Sequence, residues 1–261
     1  MATSPDRKPL NTHCVESLGV IGEIEIDVHT SDLFDAGADR PEPAGSEVEV
    51  GVKDTADEED RLSPTAAVDK FFDHALSELA ELRTRAEVDA IEQAADLILD
   101  SEARGGRVHV TGVGKSEHVA RYIASLLSST GTPAYFLHAT ECVHGSAGQV
   151  RVPDVTIAVS NSGTTPELVR AVEVLRGLGI KIIGVSGNRE SSLARAADVL
   201  LHAGVDSEGG VLNLVPRASI LAKLYVLCAL SVALEAHKGL TREQYASWHP
   251  GGALGKLARG D

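Results

Sequence analysis

Five short apolar segments, at 108–111, 134–137, 155–159, 180–185 and 199–202, constrain this chain more than any other feature. They are rich in β-branched residues and lack clean alternation of apolar with polar positions. Alternation marks a strand with one wet face, and its absence marks strands covered on both faces. Helical spacing follows at 117–129 and 166–178, a short helix is expected in "SSLARAAD", and a long one over about 216–237. Strands separated by helices pair in parallel. The pattern predicts an α/β fold with a parallel five-stranded sheet sandwiched by helices. In open sheets of this kind ligands bind beyond the C-terminal ends of the strands, so the turns after the strands come first.

Upstream, Ser63-Pro64 reads as an N-cap followed by proline at the first helical position. Val68, Phe71, Phe72, Ala75, Leu76 and Leu79 keep helical spacing, and Val88, Ile91, Ala94, Ala95 and Ile98 resume it after a break near 83–85. Gly105-Gly106 ends that helix. These are N-terminal packing helices, covering the sheet or a partner subunit. Residues 1–62 differ in kind, with 16 acidic against 5 basic side chains and many Pro and Gly. Such a segment buries too little apolar surface to offset its ordering entropy, so a mostly disordered acidic leader is expected ahead of a domain over 63–261. A short strand at 20–28, open to docking on a partner, is the exception.

The remaining body carries 22 acidic and 19 basic residues, close to neutral, and shows no basic footprint for nucleic acid and no basic helix-turn-helix. Cys14, Cys142 and Cys228 are too far apart for a Cys-x-x-Cys pair, which argues against a disulfide framework or structural zinc and fits a reducing compartment. There is no N-terminal apolar h-region, and the longest apolar stretch, 224–234, is short for a bilayer. A cytoplasmic protein without membrane or nucleic-acid partners is expected.

Two turns carry the chemistry. "TGVGKSEH" at 111–118 resembles the end of a P-loop, but the Gly that motif needs five residues before Gly114 is His109, and the third Gly of a dinucleotide fingerprint falls on Glu117. An ATPase is excluded on loop length. What remains is either a site for a single phosphate, offered backbone N–H groups and a helix N-terminus, or a bare strand-to-helix turn. "SNSGTTPE" at 160–167 is dense in hydroxyls, and Pro166 opens the next helix. Ser160, Ser162, Thr164 and Thr165 suit a phosphate cradle of hydroxyls and backbone amides, although serine-rich N-capping turns are common. Two such turns after neighbouring strands favour the cradle. A third turn, "SGNRES" at 186–191, reads as a plain loop and helix cap.

These turns, with "GVGKSEHVARYIASLLSSTGTPAYFLHATECVHGSAG", "SSLARAADVLL", "LNLVP" and "HPGGALGKL", resemble sugar isomerase (SIS) domains, and among them the arabinose 5-phosphate isomerases, from about residue 65 onward. The resemblance implies a flavodoxin-like or Rossmann-like SIS domain that forms homo-oligomers, tetramers being favoured, with active sites shared between subunits. It implies catalytic roles for Lys115, His144, Glu167, Glu208 and His249. It implies phosphate contacts from Ser116, Ser160, Asn161, Ser162 and Thr165. The substrate would be a sugar phosphate, with no metal or other cofactor. Singly, each of these residues has an ordinary explanation, such as a surface lysine, loop histidines or a favourable helix-start glutamate; five in order are harder to explain that way. The sequence departs from the family at Gly209-Gly210-Val211, at Arg217–Ile220 and at Leu227-Cys228, all near Glu208 and the sugar end. It also ends soon after "HPGGALG", where many relatives continue into a paired CBS module, so regulation through such a module is not expected.

Aldose–ketose interconversion requires ring opening, a base moving a proton between C1 and C2 through an enediol, and stabilisation of the oxyanion. Glu208 is the candidate base, a carboxylate expected to gain basicity by desolvation. His249 is the candidate for ring opening and proton shuttling. Lys115 would stabilise the enediolate or orient the substrate, and His144 and Glu167 would complete the polar shell. A non-catalytic phosphosugar sensor, or an isomerase of another sugar phosphate, is the alternative.

Overall fold

A computed structural model describes residues 62–260; the acidic leader and its expected strand at 20–28 lie outside the described residues. Helices α1 (Pro64–Arg85) and α2 (Val88–Ala103) come first, broken after Arg85 as the spacing predicts. Strands β1 (Val108–Gly112), β2 (Ala134–Phe136), β3 (Val155–Val159), β4 (Lys181–Ser186) and β5 (Val199–His202) follow. All pair in parallel, in the order β2-β1-β3-β4-β5. Between them run α3 (Lys115–Ser129), α4 (Ala139–Cys142), α5 (Pro166–Gly177) and α6 (Ser192–Ala196), and after them α7 (Ala218–Lys238), α8 (Arg242–Trp248) and α9 (Ala253–Arg259).

The sheet is buried on both faces, as the missing alternation requires. Every residue of β1 and β3 is buried. On β3, Val155, Ile157 and Val159 face one layer, packed with residues of α2, α3 and α7. Ala158 faces the other, with Cys142 of α4, Leu168 and Leu175 of α5 and Leu193 of α6. Successive strand side chains point to opposite faces, so one strand serves both layers.

Several elements go beyond the spacing pattern. Helix α4 and a 3-10 turn at 146–149 fill the connection after β2. Helix α8, which the spacing pattern does not predict, is held by a capping box in which the Thr241 hydroxyl accepts from Gln244 N–H and Gln244 Oε1 accepts from Thr241 N–H. Helix α7 is long and apolar enough to cross a bilayer by length and composition, although the uncharged stretch beyond Lys223 is not. More than half of that window, 56%, is buried against the rest of the fold, which makes α7 a core helix.

Candidate functional site

Strand order places the site. Between β1 and β3 the connections leave the sheet in opposite directions, which opens a crevice at the C-terminal edge of the strands. Gly112 pairs with Val159 across that switch point, so the turns after β1 and β3 start on adjacent strands, about 5 Å apart. Both turns predicted to hold phosphate lie there.

At the first turn, Gly114 is the N-cap of α3 with φ 60°, a left-handed value that suits glycine. Gly112 is needed for closeness, since a Cβ there would stand 2.7 Å from the Ser116 carbonyl. Ser116 is half-buried in the first turn of α3, and Lys115 is exposed at its start. Lys115 lines a cleft of about 400 Å³ with His118, Tyr122 and, from the far side, Pro216, Ile220 and Leu224.

The second turn is closed by its own hydroxyls. Buried Ser160 accepts from Gly163 N–H at 3.0 Å and meets Thr165 Oγ1 at 3.2 Å. Ser162 accepts from Thr164 N–H at 3.3 Å and is exposed, as is Asn161. Thr165 is the N-cap of α5, and Glu167 is exposed in that helix's first turn. The 186–191 segment is more than a plain loop. Ser186 Oγ and Gly187 N–H both donate to the Asn161 carbonyl, at 3.2 and 3.0 Å, and Leu193 N–H donates to the Gly163 carbonyl. Gly163 has φ 65°, and a Cβ on it would collide with the Ser191 and Ser186 side chains. Gly163→Ala is therefore expected to cost about 1–3 kcal/mol of stability through backbone strain and to weaken binding of inorganic phosphate. Urea unfolding and calorimetric titration check the two effects separately.

Glu208 lies in the loop between β5 and α7. Its Oε2 accepts from the backbone N–H of Arg217 at 2.6 Å and of Ser219 at 3.1 Å, so this one oxygen caps α7. No hydrogen bond to Oε1 is present among the described residues. Desolvation pushes the carboxyl up, but hydrogen bonding from Ser219 and Arg217 and the nearby Lys223 ammonium outweigh it and hold the pKa below the usual value. The net shift is opposite to the gain in basicity expected from burial. Two α1 residues that sequence reading passed over anchor this loop. Buried Glu78 accepts from the N–H groups of Asp206 and Ser207 at 2.9 and 3.0 Å, and His74 Nε2 lies 3.0 Å from Ser207 Oγ.

His144 is exposed between α4 and the 3-10 turn, also on the C-terminal side of the sheet. His249 is elsewhere. It caps α8, donates from Nδ1 to the Tyr245 carbonyl at 2.8 Å and stacks on the Tyr245 ring at 4.0 Å. Trp248 of the same helix fills the space where a Gly131 Cβ would stand, just before β2 begins. Lys238, at the end of α7, donates to the Gly131 carbonyl and to Thr132 Oγ1. The start of α7 touches Glu208 and its end touches the opposite edge of the sheet. Over the 21 residues of α7 that separation is about 30 Å. Within one chain, then, Lys115, Ser116, Ser160, Asn161, Ser162, Thr165, Glu167, His144 and Glu208 share one end of the sheet, and His249 lies at the other.

Residues 102–233 match the SIS domain model. The chain belongs to the SIS domain family. Among its relatives, arabinose 5-phosphate isomerase KdsD of Pseudomonas aeruginosa is 46% identical over 168 residues, which is 64% of this chain and 51% of that protein. The corresponding protein of Francisella tularensis is 41% identical over 165 residues, 63% of this chain and 50% of that one. The chain thus spans about half the length of the curated relatives it matches. An Escherichia coli CFT073 protein solved in complex with A5P superposes with a TM-score of 0.67 at 32% identity, covering 72% of this chain and all of that one. SIS membership and the parallel five-stranded sheet agree with what the turn motifs and strand pattern imply.

Proposed function

We propose that this SIS domain is an aldose–ketose isomerase of a phosphosugar, with D-arabinose 5-phosphate and D-ribulose 5-phosphate as its substrate pair, acting through an enediol. The observation that carries the reading is the meeting of a hydroxyl-lined turn and a Lys/Ser turn at the switch point, with the Glu208 carboxylate at the same end of the sheet. Relatives named arabinose 5-phosphate isomerases and the neighbour complexed with A5P supply the substrate class. Ser116, Ser160, Asn161, Ser162 and Thr165 take the phosphate, aided by the N-termini of α3 and α5. Glu208 moves the proton between C1 and C2 through Oε1 while Oε2 stays in the α7 cap. Lys115 balances charge on the enediolate oxygen, and Glu167 and His144 complete the polar wall. The chemistry requires no metal or redox cofactor.

A homo-oligomer, with a tetramer favoured, is part of the reading. Val68, Phe72 and Leu76 are exposed at every fourth residue of α1, and Leu221, Tyr225 and Val232 are exposed on α7. Such apolar faces suit a second copy of the chain. His249, remote from its own site, then serves the site of another subunit, where Nε2, the ring nitrogen not engaged by the Tyr245 carbonyl, can shuttle the ring oxygen's proton. The burial of α7 suits a cytoplasmic enzyme. A second reading, a non-catalytic sensor of the same ligand, gains from the α7-capping role and lowered pKa of Glu208.

The deciding experiment incubates purified protein with ribulose 5-phosphate in D2O and follows deuterium at C1 and C2 by NMR. Deuterium incorporation with appearance of arabinose 5-phosphate is the expected result. Saturable binding with no incorporation would replace the enzyme with the sensor, and incorporation without arabinose 5-phosphate would replace the substrate pair.

A further inference from the structure

Helix α7 carries no charged residue from Ala218 to Leu234 except Lys223. That lysine is 1% exposed, among the most buried large side chains of the fold. Burying an ammonium is costly unless it is paired and hydrogen-bonded. Burial pulls Lys223 down to about 8 even against the attraction of Glu208. A leucine at this position would pack without that cost, so the fold tolerates the cation for some use.

Lys223 lies four residues after Ser219, one turn further along the same face of α7. Ser219 N–H holds Glu208 Oε2, so the ammonium sits beneath the candidate base. Its Nζ donates to Asn161 Oδ1 at 3.4 Å. The Asn161 main chain is already fixed by Ser186 and Gly187, and its Oδ1 lies 2.9 Å from where a Gly187 Cβ would stand. Only the rotation of the planar amide is left to set. Carbonyl and NH2 ends of an amide have nearly the same shape, so hydrogen-bond partners decide which end points where. A cation on Oδ1 turns the NH2, a donor, toward the other side of the amide.

We propose that Lys223 is a positioning residue of the phosphosugar site: it fixes the Asn161 amide with NH2 toward the substrate phosphoryl group. This rests on the phosphate reading of the 160–165 turn. Without the ammonium the amide can reverse and place an oxygen against the phosphoryl oxygens. The charged group acting on Lys223 is Glu208, from the loop before α7; the turns after β3 and β4 bring neutral Asn161 and Ser186.

The test titrates the full chain calorimetrically with inorganic phosphate and with arabinose 5-phosphate, in wild type, Lys223→Met, Asn161→Ala and the double variant. Lys223→Met is expected to weaken both ligands about tenfold or more, the scale of one charge-assisted hydrogen bond. The double variant should bind no worse than Asn161→Ala, since coupled residues are not additive. Thermal melting of Lys223→Met should stay level or rise, because a buried charge is gone; Lys223→Gln serves if the Met variant does not fold. Wild-type affinity should fall as pH rises through about 8, a step absent from Lys223→Met. Unchanged affinity in Lys223→Met, additive losses in the double variant, or no phosphate binding by wild type would each overturn the proposal. Phosphate binding that responds as expected in a protein that exchanges no proton from ribulose 5-phosphate would leave Lys223 in its role and remove the isomerase reading.

Discussion

Glu208→Gln should reduce turnover of ribulose 5-phosphate by about a thousandfold, within the range typical of a positioned general base, while the fold survives. The geometry makes this substitution unusually clean. Glu208 Oε2 accepts two backbone N–H groups at the start of α7, and the amide oxygen of Gln can accept them as well. Only the charge of the cap is lost, worth roughly 0.3–1 kcal/mol at a helix N-terminus. Glu208→Ala removes both charge and acceptor and should cost about 1 kcal/mol more. Loss of C1/C2 deuterium exchange in the Gln variant, with a thermal transition close to wild type, is the expected pair of observations. Retained exchange would remove Glu208 from the proton transfer. A second consequence follows from Lys223. The carboxylate raises the ammonium's pKa against burial, so Glu208→Gln should lower it further. Fewer molecules then carry the cation at pH 8, and KM in the residual activity should rise between pH 7 and pH 8 more steeply than in wild type.

The sheet was legible because burial on both faces leaves an uninterrupted apolar signature: β3 and β5 fall where the pattern puts them, and the other strands differ by a residue or so at their ends. The two strand-to-helix turns after β1 and β3 were legible because glycine and hydroxyl residues cluster between an apolar strand and a helix start. What could not be read from local pattern depends on distant partners. Glu78 and His74 belong to an amphipathic helix by spacing, yet they fasten a loop more than 120 residues away. The 186–191 turn reads as a cap, but it also supplies donors to Asn161. Lys223 left one signal, a lone charge inside an apolar helix, but its partner Asn161 is 62 residues away. The basicity expected of Glu208 from burial failed to account for two backbone donors, because the sequence does not show that the helix starting near 216 packs its first N–H groups against Glu208. Helices α8 and α9 are seven residues each, too short for periodicity to distinguish them from loop, although Thr241 and Gln244 carry the spacing of a capping box.

The other large effect is a gain of activity from two dead proteins. His249 and Glu208 sit at opposite ends of α7, about 30 Å apart along a helix of 21 residues, and no side chain bridges that distance. If both serve one active site, they come from different copies of the chain. Glu208→Gln and His249→Ala should each be nearly inactive alone. When the two are unfolded together in equal amounts and refolded, half of randomly paired dimers contain one of each. In such a pair one site has lost both groups and the other has kept both, so activity should return to about a quarter of wild type. The quarter follows from a shared site, since a site built within one chain would stay dead in every combination. Mixing without unfolding should restore activity only as fast as subunits exchange. A mixture that stays inactive, with mixed oligomers present by native mass spectrometry, would place His249 outside the catalytic site and leave its stacking on Tyr245 as its whole contribution.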